Sequence, residues 1–257
     1  MIDPRAIVDP GAILGEGVSI GPFSIIGPEV EIGDRCWIGP HVTLSGPCRL
    51  GADNKVYQFA SVGEAPQDKS FSGQPTRLEI GDRNIIREYA TLNRGTVKGG
   101  GVTRVGDDNL IMAYCHIAHD CIIGDNTIFA NAASLAGHVL VGDYAYLSGF
   151  VIVHQFCQIG AHAFCSMGSA ISKDVPPYVT VAGHPARPYG INAEGLRRRG
   201  FAAERIRRIR DHYKTLYKAG LRLEAAVEKL REQAAGGCAD AALLAGFIEG
   251  SKRSIIR

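Results

Sequence analysis

A chain of 257 residues that is 46% hydrophobic and 21% charged can bury a sizeable core, as one domain or as a domain with an appendage. Its formal charge of +2 calls for no nucleic-acid partner. No stretch approaches the ~18 consecutive apolar residues of a membrane span, and the first residues lack a basic segment followed by an apolar run, so a cytoplasmic protein without a membrane span is expected.

From its first residues the chain returns an apolar side chain at every sixth position: Ile2, Val8, Leu14, Ile20, Ile26, Ile32, Ile38, Leu44, Leu50, Val56 and Val62. A period of six fits neither a helix at 3.6 nor a plain strand at 2. Unbroken hexads are the sign of a parallel β-helix, in which each hexad is one short strand plus a corner and three hexads make a triangular coil. Residues eighteen apart then stack at one strand spacing of ~4.8 Å. Gly15, Gly21, Gly27, Gly33, Gly39, Gly51 and Gly63 follow seven of these apolar positions, where a corner is expected to demand a backbone that side chains resist. Pro22, Pro28 and Pro40 fit the same corners, off the ladder of strand hydrogen bonds.

The pattern breaks at about Glu64, resumes with Ile80, Ile86 and Leu92, and breaks again in VKGGGVTR. Two loops, near 64–79 and 97–104, therefore leave the coil. A solenoid often carries insertions on its binding face, and a polar loop with Asp68, Lys69 and Ser70 could cover a ligand; a tolerated surface insertion explains it equally well. The second break lacks the Gly-Lys-Ser/Thr ending of a phosphate loop.

From Val105 to Val175 the hexads run unbroken, with Ile111, Ile117, Ile123, Phe129, Leu135, Val141, Leu147, Val153, Ile159, Cys165 and Ile171 at the apolar position. Mostly small residues follow four positions later, among them Cys115, Cys121 and Cys157. With Cys36 and Cys48 at the same small position, these cysteines read as core packing. Cys115 and Cys121 should face different walls, which gives neither a disulfide nor a zinc site. Cys238 lies in the tail and carries no signal of its own.

After Pro176-Pro177 the hexads stop, so residues 1–190 form the coil and 191–257 a helical domain. Ile206, Ile209, Tyr213 and Leu216 make one helix face, Leu223, Val227 and Leu230 a second, and Leu243, Leu244, Phe247 and Ile248 a third. The Arg197-Arg198-Arg199 run and Arg205, Arg207, Arg208 and Arg210 concentrate positive charge here. It solvates a helix face or receives an anionic nucleotide or acidic partner.

Counting in eighteens gives the columns His119–Gly137–Gln155, Asp120–His138–Phe156 and Ala118–Ala136–His154. His116, His119, His138 and His154 thus gather along one edge, as a general base or a metal site requires. A lone histidine is more often structural; four beside an aspartate and a stacked glycine favour function.

The segments KVYQFASVGE, LEIGDRNIIRE, RGTVKGGG, DNLIMAYCHIAHDC, LAGHV, VHQFCQIGAHAF, KDVPPYV and GINAEGLRRRGF resemble the UDP-N-acetylglucosamine O-acyltransferases of lipid A synthesis over essentially the whole chain. The resemblance implies a left-handed parallel β-helix, an exception to the right-handed crossover rule, with a C-terminal helical part. It also implies a homotrimer with sites between subunits, and no metal or cofactor. His119 would be the general base on the sugar 3-hydroxyl as it attacks the thioester of 3-hydroxyacyl-acyl carrier protein. Asp120 would orient it, and the Gly137 N–H would hold the oxyanion. Asp68, His116, His138, His154 and Gln155 would bind the sugar nucleotide, and Asn192, Glu194, Arg198 and Arg199 its uridine and phosphate end. The acidic carrier protein would meet the basic tail region.

Two positions depart from the family. Ser70 stands where its loop has a lysine, with Lys69 beside it, and Asn93 replaces a histidine. Met167, stacked over Gly149 and Asn131, stands where a glycine opens the acyl channel to fourteen carbons, so a chain of about ten to twelve carbons is implied. An N-acyltransferase of the same pathway would place a uridine-binding domain before the coil, whereas hexads here begin at Ile2. A carbonic-anhydrase-type trimer would need three histidines on one zinc, and a non-catalytic solenoid no histidine edge. Whether the acceptor is the 3-oxygen or a 3-amino nitrogen stays open.

Overall fold

The computed structural model describes all 257 residues. A hexad leaves room for little more than one outward and one inward residue before the chain turns, so most strands are two or three residues long. They stack in parallel into three walls. Wall 1 has nine strands, from Ile7–Val8 to Ala170–Ile171; wall 2 has eight, from Ile13–Leu14 to Gln158–Ile159; wall 3 has ten, from Ser19–Ile20 to Arg187–Ile191. The last of these runs antiparallel to Val179–Ala182 and closes the stack. The architecture is a left-handed parallel β-helix followed by helices.

Residues eighteen apart are in register, as in Ile111–Phe129, Phe129–Leu147 and Leu147–Cys165. Every apolar hexad residue from Val105 to Ile171 is buried, within a cluster of 45 core residues. All seven cysteines are free, and the thiols of Cys115 and Cys121 donate to the carbonyls of Ala130 and Ala136 at 3.2 and 3.3 Å. The recurring Gly-Asp pairs add a second ladder: the carboxylates of Asp107, Asp125 and Asp143 accept the N–H of Asp82, Asp107 and Asp125 in the neighbouring coil.

The corner glycines answer a different demand from the one the sequence suggested. Only Gly63 of that set has a left-handed backbone, with φ 85°. At Gly15, Gly21, Gly33 and Gly51 the coils touch: a Cβ would stand 2.7 Å from the Pro40 nitrogen at Gly21, and 2.5 Å from the Gly51 carbonyl carbon at Gly33. The left-handed turn falls instead on ordinary residues such as Phe23, Glu29, Arg35 and His41, at φ 54–61°.

Both insertions leave the corner between walls 1 and 2. The first separates Ser61–Glu64 from Arg77–Ile80, the second Thr91–Asn93 from Val102–Val105. Ile80 accordingly pairs with Leu50 and with Val105 instead of residues eighteen away.

Four helices follow: α1 Ala193–Arg198, α2 Ala203–Tyr217, α3 Leu223–Ala235 and α4 Ala239–Gly250. They share a 13-residue core of their own. In α4 the inward face is Ala241, Leu244, Ala245 and Ile248, a 3.6-residue stripe whose alanines permit close helix packing. Leu243, expected on that face, is exposed and borders a groove against Ile122 and Leu140 of wall 2, while Phe247 both packs on the helical core and lines that groove. The chain end returns to the coil, where the Ser251 hydroxyl donates to Asp174 Oδ2 at 2.6 Å.

Candidate active site

His119 and Asp120 turn the corner between the strands His116–Ile117 and Ile122–Ile123, directly beneath both insertions. His119 Nδ1 lies 2.8 Å from Asp120 Oδ2, and the carboxylate is almost completely buried. A carboxylate accepts only, so Nδ1 carries the proton and Nε2 keeps a free lone pair. His138 packs edge-on to His119 at 5.1 Å, stacks on Phe156 at 4.4 Å, and brings Nε2 to 3.6 Å from Asp120. Burial holds the His138 pKa below its usual value.

Gly137 lies beneath the His119 ring, where any Cβ would collide with it. Its N–H meets no acceptor within the protein. This edge therefore offers a base and an oriented free donor side by side, the two elements acyl transfer needs.

The other expected residues divide. His116 points Nδ1 at Thr91 Oγ1, 2.7 Å away, and burial, then the nearby His119, lowers its pKa. Asp68 faces the dyad closely enough for the His119 and Lys98 charges to act on it. Its carboxyl is held below the usual range first by the Ser70 N–H and then by the Ser70 hydroxyl. Ser70 thus serves Asp68, while Lys69 is exposed. Asn93 is buried and donates to Ala65 O at 3.0 Å, bracing the start of the first insertion.

His154 does not join the cluster expected of it. It is exposed, its Nδ1 is 3.1 Å from Gln155 O, and it lines a cavity of about 410 Å³ with Ile152, Ala170 and His184. Within one chain two histidines converge, His119 and His138, with Asp120.

Asn192, Glu194, Arg198 and Arg199 come together elsewhere, lining a cavity of about 500 Å³ against Ile128, Tyr146 and Phe164 of wall 3. Asn192 caps α1 through Gly195 N and donates to His162 O, both at 3.0 Å. Glu194 pairs with Arg198 at 3.0 Å. Arg199 lies 4.8 Å over the Tyr144 ring, and burial lowers its pKa. Within one chain these four residues and the dyad occupy different walls.

Met167 and Gly149 lie at the corner between walls 3 and 1, with Gly168 N bonded to Gly149 O at 2.9 Å. Met167 is 76% exposed. A distance from His119 counted only along the axis omits the width of wall 1, so a tail from the dyad must also cross outward-facing Ser134, Ile152 and Ala170.

A family described as "Udp N-acetylglucosamine O-acyltransferase; Domain 2" matches residues 174–256, and the bacterial transferase hexapeptide family matches 103–137. The acyl-[acyl-carrier-protein]--UDP-N-acetylglucosamine O-acyltransferases of Halorhodospira halophila and Alkalilimnicola ehrlichii are 57% and 58% identical over 256 residues, covering 100% of this chain and 99% of theirs. The chain belongs to the UDP-N-acetylglucosamine O-acyltransferase family. The crystal structure of the Francisella novicida UDP-N-acetylglucosamine acyltransferase is 43% identical, covers 100% of this chain and 94% of that one, and superposes with a TM-score of 0.98.

Three residues near His119, Asp120 and Asp68 escaped sequence reasoning. Thr96 donates through N and Oγ1 to the two Asp120 oxygens at 2.8 and 2.6 Å. Thr103 Oγ1 accepts the Asp120 N–H at 2.8 Å, and Lys98 reaches the field of Asp68. Lys98 and Thr103 belong to the second break and Thr96 directly precedes it; paired threonines and glycines were the only signal. No helix is long and apolar enough to cross a membrane.

Proposed function

We propose that this acyltransferase carries a 3-hydroxyacyl chain of about ten to twelve carbons from acyl carrier protein to the 3-hydroxyl of UDP-N-acetylglucosamine, the first step of lipid A synthesis. The observation that carries the mechanism is the His119–Asp120 dyad, with Nδ1 2.8 Å from a buried carboxylate. Nε2 takes the proton from the sugar hydroxyl as its oxygen bonds to the thioester carbonyl. The oxyanion forms against the Gly137 N–H. Collapse breaks the C–S bond, and the imidazolium returns its proton to the departing carrier thiolate. Asp120 stabilises the imidazolium, and Asp68, His116 and His138 bind the sugar around it. Gln155, in the column of His119 and Gly137, completes the sugar subsite along the same edge.

The working unit is a homotrimer. Supporting this, the anion-binding candidates Arg198 and Arg199, at the end of α1, face wall 3, and the dyad lies at the corner of walls 1 and 2, so a site using both needs two copies. Arg199 has no carboxylate partner and is free for a phosphate. Arg207 and Arg210 on α2 are exposed and offer charge to the acidic carrier protein. Six buried free thiols suit a reducing cytoplasm.

The test is a product assay with UDP-N-acetylglucosamine, its 3-amino analogue and acyl carrier proteins of graded chain length. His119→Ala should fold normally and lose roughly 10²–10⁴ in turnover. Near-normal turnover in that variant removes His119 as the base, and preference for the amino sugar replaces the oxygen acceptor.

A further inference from the structure

We propose that Thr96 is a positioning residue that decides which imidazole Asp120 serves. The inference rests on the reading of His119 as the base. Two rings compete for the same carboxylate oxygen: His119 Nδ1 at 2.8 Å and His138 Nε2 at 3.6 Å from Oδ2. Nothing in the corner itself prevents the carboxylate from swinging toward His138. Thr96 does so, because its N–H holds Oδ1 at 2.8 Å while its hydroxyl holds Oδ2 at 2.6 Å.

The hydroxyl cannot turn away. An ionised carboxylate only accepts, so the Thr96 proton must point at it, and the same oxygen accepts Gly99 N at 3.3 Å as the cap of a short 3₁₀ turn, Val97–Gly99. The turn lies on the carboxylate so closely that residue 99 has no room for a Cβ. From the strand that follows the insertion, Thr103 holds the Asp120 N–H. The second insertion is thus a clamp on Asp120, and through it on the tautomer that leaves His119 Nε2 unprotonated.

The charged and titratable groups facing His119 are Asp120 and His138 on the coil edge, His116 on wall 1, and Asp68 on the first insertion, which also feels Lys98 of the second. None of these contacts the Asp120 carboxylate from the side Thr96 occupies.

The experiment is ¹⁵N NMR of the imidazoles in the intact protein without substrate. In the unaltered chain His119 should hold the Nδ1–H tautomer. Thr96→Val removes the hydroxyl and keeps the backbone donor; it should move His119 toward an Nε2–H mixture, shift the His138 signals with it, and lower kcat about ten- to a hundred-fold at unchanged KM for the sugar nucleotide. Thr96→Ser should restore both. Should the valine variant fail to fold, Thr96→Ala removes the same donor with less bulk and is read identically. A His119 tautomer that stays fixed without the hydroxyl overturns the proposal, as does full turnover. Since the tautomer measurement needs no substrate, its failure is separable from failure of the assigned reaction.

Discussion

The imidazole of His119 occupies the space that a side chain at Gly137 would need: a Cβ there would stand 2.5 Å from Cε1 and 2.8 Å from Nε2. The glycine is therefore required for the base to lie over the free N–H, before any substrate is considered. Gly137→Ala should fold, since the collision is with one movable ring, and should displace Nε2 by about an ångström. Misplacement of that size costs roughly 10²-fold in turnover. Steady-state kinetics beside a melting curve decide it, and unchanged kcat would show that the ring's seat on Gly137 has no catalytic role.

Much of this was legible in the chain. The period of six fixes which residue faces inward, and counting in eighteens placed His119 over Gly137 and His138 over Phe156, because coils of constant length make register a matter of arithmetic. The same arithmetic failed wherever length varied or sideways distance mattered. It gave no account of Thr96, which reaches Asp120 from an insertion outside the register, or of Thr103 in the strand that follows it. It also wrongly put His154 in the cluster, because sharing an edge does not bring together side chains two coils apart. The corner glycines were misread for a related reason: coil-to-coil clearance is a three-dimensional property that a preference for left-handed backbone does not describe.

A site divided between copies makes a prediction about mixtures. His119→Ala and Arg199→Ala should each be nearly inactive alone. Unfolded together and refolded as mixed trimers, they should recover a fraction of wild-type activity, because some interfaces then pair an intact His119 with an intact Arg199. Light scattering should give three times the chain mass. No recovery in verified mixed trimers would place both residues in one chain's site, and a fully active monomer would remove the trimer altogether.

The contact between coil and helices should weaken in acid. His162 is stacked between Tyr144 and Tyr178 at 4.8 and 5.6 Å, and burial, then Arg199 and Arg205, push its pKa down to about 4. Between that value and the ordinary ~6.5 of an unfolded histidine, the unfolded chain binds a proton that the folded one refuses, so stability falls as pH drops through this window. Asp240 acts in the same direction: burial alone would raise its pKa, but hydrogen bonds from Arg205 and Tyr178 hold it lowered. Its contribution is present above the unfolded carboxylate pKa and is lost as pH falls through the depressed folded value. The urea midpoint read from helical circular dichroism should therefore decline from about pH 6.5 downward. His162→Phe, which keeps the stack, should flatten the upper part of that decline; an unchanged profile would mean His162 does not contribute.

The final prediction concerns chain length. Met167 stands one coil beyond Gly149 and between two and three coils from His119, which at ~4.8 Å per coil is roughly 13 Å along the axis. The path also crosses wall 1, where the outward residues Ser134, Ile152 and Ala170 lie between the two corners. An acyl tail leaving the dyad over this strip meets the Met167 side chain at its far side, and being 76% exposed that side chain fills space outside the coil and none within it. Gap-filling inside the core, the usual use of methionine, is thus not its role. A methionine in the groove rejects extra methylenes by overpacking, at ~1–3 kcal/mol, which is about one to two powers of ten in selectivity. The unaltered enzyme should prefer 3-hydroxyacyl chains of about ten to twelve carbons, and Met167→Gly should move the preference toward fourteen, with kcat/KM on the shorter donors changing little. Competition between donors of different length in one reaction, read by mass spectrometry, gives the ranking directly. If the unaltered enzyme already favours fourteen over ten, or if the glycine variant keeps the original order, the groove is limited by some residue other than Met167.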